Sequence, residues 1–178
     1  MSPLPTGYVL RRVDALPPAP MRALIDSELL AGTRVVRGRD RLPPERGAAV
    51  AERLATAVRA TDRLELGVWH GATLVGFTRC ACQRPGALMM EVSVVHPEHR
   101  RRGVYSAMAR AVLAEARHRG YLDVTSLHLA SNNPVLIAKL TLGFTVVGAE
   151  VSPEWGVLVR LVYPLDPERR ALLDERIC

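Results

Sequence analysis

Apolar residues along the chain fall into alternating and helical spacings that switch sharply at proline and glycine. Val9–Val13 has the character of a short strand, and the cluster Pro17, Pro18 and Pro20 then breaks regular structure. Met21, Leu24, Ile25 and Leu29 recur at helical spacing, as do Val50, Leu54 and Val58 after Pro43–Pro44, which predicts two helices. Leu64, Leu66 and Val68 alternate, as do residues from Leu74 to Cys82, with His70–Gly71 between them as a hairpin turn. Leu88–Val95 is a further strand that ends at His96–Pro97. Beyond Gly103 the period turns helical, with Val104, Met108, Val112 and Ala116 in one stripe and Gly120 as terminator. A strand over Val124–Leu129 follows, then a helix over Pro134–Leu142 that stops at Gly143. Strands over Phe144–Val151 and Gly156–Tyr163 come next, and Asp166 caps a last helix with Pro167 at its first position. This order predicts an α/β (α+β) fold, a sheet carrying helices on its faces.

At 178 residues the chain is the length of one domain, so 1–178 is read as a single unit. A 48% hydrophobic and 24% charged composition supplies a core and argues against wholesale disorder. No run approaches the ~18 apolar residues of a membrane span, and the first residues do not resemble a secretory leader. The odd count of 3 cysteines, two of them at Cys80 and Cys82, makes a disulfide framework a poor reading and fits a reducing cytoplasm. Lys139 is the lone lysine among 24 basic residues, and the net charge is +6, which favours an anionic partner. The arginines bring planar, always-charged donors suited to phosphate, notably in Arg100–Arg102.

The segment from Val92 to Gly120 carries the most chemistry. A strand ends, a short basic loop turns, and a long helix starts at about Gly103. Unpaired amides at a helix start, together with the helix dipole, make an anion site, and a glycine there lets a phosphate approach the backbone. The dipole contributes only about 0.3–1 kcal/mol per charge, so a pyrophosphate needs several amides and nearby arginines. Neither a P-loop nor a dinucleotide fingerprint is present.

Here the chain resembles the GNAT superfamily of acetyl-CoA-dependent N-acetyltransferases. Val95-His96-Pro97 followed by Arg100-Arg101-Arg102-Gly103-Val104-Tyr105 is similar to the family's pyrophosphate loop. Asn132, with Gly143-Phe144 eleven residues on, is similar to its second motif. The resemblance implies a mixed, mostly antiparallel central sheet flanked by helices. It implies that amides of the Arg101–Tyr105 turn hold the pyrophosphate, with Arg100, Arg101 and Arg102 beside it. The main chain of Val94 and Val95 would pair with the pantetheine arm, and Asn132 would contact the pantetheine side. Two departures stand out: Tyr105 replaces the usual Gly or Ala, and Lys139 replaces the tyrosine common in the second motif.

A departing thiol of pKa ~8.5 leaves as thiolate at a cost of roughly 2 kcal/mol at neutral pH. An amine of pKa ~10.4 needs on the order of 4–5 kcal/mol to reach its free-base form, so a general base is the more pressing requirement. Glu91 is the candidate base, expected to share a strand face with Ser93 and Val95, and Lys139 is the candidate donor to the thiolate. The other reading of Glu91 is a solvated or arginine-paired carboxylate. The expected reaction is acetyl transfer to a small-molecule or peptide amine by direct attack in a ternary complex.

Two rival functions remain open. Lys139 and Tyr105 also fit a CoA-binding sensor that has lost turnover, and the basic surface fits a nucleic-acid module. Arg34, Arg37, Arg39, Arg41 and Arg46 line an acceptor cleft, bind RNA or form an ordinary surface loop. No metal is expected: Pro97 keeps His96 and His99 off one helical face, and Glu115 with His118 reads as solvent-exposed. His128 reads as a hydrogen-bonded structural residue, Cys80 and Cys82 as core or edge thiols, and Trp69 and Trp155 as packing residues. Homodimers are common among such proteins, and membrane association is not expected.

Overall fold

A computed structural model describes residues 4–14, 17–25, 43–46, 48–49, 52–53 and 62–177. Seven strands form one sheet: β1 (Tyr8–Val13), β2 (Arg63–His70), β3 (Thr73–Arg84), β4 (Ala87–Val95), β5 (Asp123–Leu129), β6 (Thr145–Ser152) and β7 (Gly156–Pro164). The helices are α1 (Pro18–Leu24), α2 (Val104–His118), α3 (Asn133–Thr141) and α4 (Pro167–Ile177). Sheet order is β1-β2-β3-β4-β5-β7-β6, and every neighbouring pair is antiparallel except β4 with β5. The mixed, mostly antiparallel sheet therefore stands as expected. The arginines Arg34, Arg37, Arg39 and Arg41, together with Leu29, Val50, Leu54 and Val58, lie outside the described residues. No helix among the described residues is long and apolar enough to cross a membrane.

Successive residues at the end of β4 point to opposite faces, and each face has its helix. Val94 packs with Leu24 of α1, Leu74 and Phe77. Val95 packs with Val68, Val75 and the first turns of α2 through Val104 and Met108. The rest of the α2 stripe, Val112 and Ala116 with Ala109 and Leu113, buries against Leu64, Leu66, Leu88, Met90 and Val124. A helix with one apolar stripe has to cover a sheet face in this way. Asp166 Oδ1 accepts from the amides of Glu168 and Arg169 at 2.9 and 3.1 Å, which starts α4 where its cap was expected.

The start of α2 also lies close to β3 at Gly76. A Cβ there would stand 3.2 Å from the Val94 carbonyl and 3.4 Å from Val104 Cγ1. Gly76→Ala is expected to push the helix start from the sheet and lower stability by about 1–2 kcal/mol in chemical denaturation. An unchanged midpoint would mean that this contact relaxes freely.

Candidate active site

Strand β4 parts from β5 halfway along its length. Ala87–Met90 pairs with Asp123–Ser126, and from Glu91 onward β4 stays paired only with β3. The register supplies the cause. Arg79 lies opposite Val92 and Cys80 opposite Met90, so Glu91 is an extra residue, a bulge that bends and twists the strand. The outer half of β4 consequently presents main-chain groups without a strand on that side, and such groups need a partner.

The turn after β4 reverses into α2 through two left-handed residues. Arg101 has φ 58° and Gly103 φ 78°, and Gly103 sits at the N-cap with no side chain capping the helix. The first helical amide with a backbone acceptor is that of Ala107, to Gly103 O at 2.9 Å. The space beside Gly103 is open, since a Cβ there would meet nothing within 4 Å. Arg100 folds back, its Nε donating to Val95 O at 3.0 Å. These parts form one wall of a groove of about 830 Å³. Val94, Val95, Arg100, Arg101, Gly103, Val104, Tyr105 and Asn132 all line it, with Pro134, Val135 and Ala138 of α3 opposite. An uncapped helix start, an unpaired strand edge and an apolar helix flank suit a ligand with an anionic middle and an extended amide arm. Asn132 also caps α3, its Oδ1 accepting from Val135 N at 3.4 Å.

Arg102, Glu91 and Lys139 are not among the lining residues. Glu91 sits at the bulge, where simple alternation fails: Met90 faces the Val112 cluster, while Ser93 bonds Thr78 Oγ1 at 2.7 Å and Val95 packs on Val104. The even and odd positions exchange faces across Glu91, so the expected shared face does not run through it. Its Oε2 lies 3.9 Å from Arg63 Nη2, and the side chain is 37% exposed.

Lys139 is fully buried. Its Nζ donates to Met90 Sδ at 2.8 Å and stands 3.8 Å from the centre of the Phe144 ring. Burial lowers its pKa to about 7, with the nearby Cys80 opposing that shift. Burial likewise raises the Cys80 thiol to about 12 and the Tyr105 phenol above its ordinary value. His128 falls to about 4, through burial and then the charge of Lys139. Its Nε2, Ser126 Oγ and the Tyr105 hydroxyl are buried with no hydrogen-bond partner. His128 is thus not the hydrogen-bonded structural residue expected at Nε2. The polar face of β5, Ser126 and His128 after Val124, was the sequence signal for this buried set, although each residue alone looked ordinary.

Glu115 pairs with Arg12 at 2.8 Å and Arg119 at 2.9 Å, so it is half-buried in an ion network rather than simply solvent-exposed. The hydrogen bond from Arg119 holds the Glu115 carboxylate below the usual range. Pro97, by contrast, does not separate His96 from His99. It opens a short 3-10 turn over Pro97–His99, and the two rings come within 5.7 Å.

Fold and groove together define an acetyltransferase domain. The sequence profile of the acetyltransferase (GNAT) family matches residues 33–144, and the chain belongs to that family. Solved structures agree in fold. An N-acetyltransferase from Staphylococcus aureus Mu50 is 15% identical with a TM-score of 0.69, covering 90% of this chain and 100% of that one. The yncA protein of Salmonella typhimurium, solved with its cofactor acetyl-CoA, is 17% identical at TM-score 0.68, covering 90% and 95%. An aminoglycoside 6'-acetyltransferase type Ii is 16% identical at 0.63, covering 89% and 98%. No curated protein matches the chain.

Proposed function

We propose that this chain, as a single domain over 1–178, transfers an acetyl group from acetyl-CoA to a primary amine by direct attack in a ternary complex. The carrying observation is the uncapped start of α2 at Gly103, opening into a groove that follows the unpaired edge of β4. The residues present suit the donor: amides of the Arg101–Tyr105 turn for the pyrophosphate, main chain of Val94 and Val95 for the pantetheine arm, and α3 with Asn132 as the far wall. Bound there, acetyl-CoA would supply the thioester carbon that the amine attacks. Main-chain amides near Val95 polarise the carbonyl oxygen. Glu91, at the bend where β4 leaves β5, takes the proton from the amine directly or through water. Lys139, buried against Met90 and Phe144 outside the groove lining, is the candidate donor to the departing thiolate and reaches it only through movement of the side chains between them.

Titration calorimetry with acetyl-CoA, followed by thiol release across a panel of amines, tests the reading. Binding with amine-dependent release supports it, and absence of binding overturns it. Glu91→Gln is expected to lower kcat/KM for the amine by about a hundredfold with acetyl-CoA affinity retained. An unchanged rate and pH profile would remove Glu91 from the role.

One observation favours a second reading. Lys139 is fully buried and outside the lining of the groove, which fits a CoA-binding sensor without turnover. Tight binding with no thiol release for any amine would select it. Steeply salt-dependent RNA binding without acetyl-CoA affinity would select the nucleic-acid reading instead.

A further inference from the structure

Three of the 5 histidines in the chain converge on one spot at the rim of the groove, where His99 is itself a lining residue, at the ends of β2 and β4. His99 stands 5.4 Å from His70 and 5.7 Å from His96, ring centre to ring centre. The cause is local: in a 3-10 turn, side chains three apart eclipse one another, and Pro97 sets that turn. Glu98 of the same turn completes the group, and one donor atom each from His96, Glu98 and His99 lie within 4.8 Å of one another. His99 Nδ1 is 2.8 Å from the Tyr8 hydroxyl, a bond that orients the ring. In the tautomer that donates from Nδ1, Nε2 carries the lone pair a metal takes. His96 Nδ1 is buried and has no partner.

We propose that His96, Glu98 and His99 form a binding site for a late first-row divalent cation of the zinc class, with His70 adjoining and Tyr8 as the outer partner of His99. Two imidazoles and one carboxylate are the donor set such ions favour, whereas magnesium and calcium demand oxygen. The neighbouring Arg100–Arg102 run repels any cation held by charge alone, so binding here relies on imidazole coordination. Donor atoms around a tetrahedral ion with bonds of ~2.1 Å stand roughly 3.4 Å apart, so the site closes by rotation of these side chains. Glu98 is exposed and His96 and His99 are half-buried, which leaves them room to turn.

The test needs no acetyl-CoA and is independent of the acetyl-transfer reading. Zinc chloride is titrated calorimetrically into the chelator-stripped full chain, and cobalt binding is followed by visible absorption. One equivalent per chain is expected, with affinity in the micromolar range or tighter and the intense cobalt bands of a four- or five-coordinate ion. His96→Ala and His99→Ala should each weaken binding at least about tenfold. Glu98→Gln, an exposed change that leaves the metal-free melting point in place, should do the same, while His118→Ala on α2 should not. Absence of stoichiometric binding up to millimolar zinc, or binding that survives in the His96→Ala/His99→Ala double variant, overturns the proposal.

Discussion

Gly103→Asp is expected to lower acetyl-CoA affinity by about a thousandfold and to cost the fold about 1 kcal/mol in backbone strain. The backbone there has φ 78°, and aspartate is one of the few side chains that visits this region at small cost. A Cβ would meet nothing within 4 Å, so no neighbour has to move. What changes is the charge at the start of α2, which no side chain caps. The new carboxylate takes the place of a bound anion against the free amides and repels whatever anion approaches. Two like charges about 4 Å apart at an effective dielectric of ~20 cost about 4 kcal/mol, or roughly three decades in affinity. Gly103→Asn has nearly the same shape without the charge and should lose only about tenfold. Calorimetry with acetyl-CoA and a thermal melt read both variants. Equal losses for Asp and Asn would trace the effect to shape, and an unchanged affinity for the Asp variant would sink the anion cradle itself.

The helix start at Gly103 was legible in the sequence because its causes are local. Gly103, the stripe from Val104 to Ala116 and the Asp166–Pro167 cap depend on residues within a turn or two of one another, and all three stand in the structure. Features that depend on register or turn type were not legible. The bulge at Glu91 exists only in the pairing of β4 with β3, so a strict two-residue alternation placed Glu91 on the face of Ser93. His96 and His99 were judged by α-helical geometry, while proline set a tighter turn in which they meet. Lys139 is expected as the donor to the thiolate, and its inward turn on α3 onto Met90 and Phe144 is set by packing that the spacing alone does not show. Strand β6 stands where a strand over Phe144–Val151 is expected, but its place at the sheet edge, with Val151 79% exposed, follows from the sheet order. For Glu91, Lys139 and β6 a neighbour distant in sequence decided the outcome, and for His96 and His99 the type of local turn did.

Lys139→Met is the variant in which that inward turn has its largest consequence. The lysine has a pKa of about 7 in the folded chain against 10.5 as a free side chain. Between those values the unfolded chain binds one more proton than the folded chain, so unfolding becomes harder as pH rises, by about 1.4 kcal/mol per pH unit. The destabilisation is fully present below pH 7 and fades as pH climbs towards 10.5. Among the described residues, the large shifts of His128 and Cys80 fall outside the window from pH 7 to 9. His128 titrates between about 4 and 6.5, and Cys80 between 9.0 and about 12 with the opposite sign, since the folded chain keeps that proton longer. The native protein should therefore gain about 2–3 kcal/mol from pH 7 to 9, a rise of roughly 5–10 °C in melting temperature. Methionine is unbranched, fills similar space and carries no charge, so Lys139→Met should be more stable at pH 7, on the order of 3 kcal/mol, and flat across the window. A melt of the native protein that does not change between pH 7 and 9 would show that the ammonium keeps its charge where it is buried. Turnover supplies the second readout. If Lys139 protonates the departing thiolate, Lys139→Met loses kcat while acetyl-CoA affinity holds. An increase in stability with kcat intact would leave Lys139 as a core residue and give the proton transfer to another group.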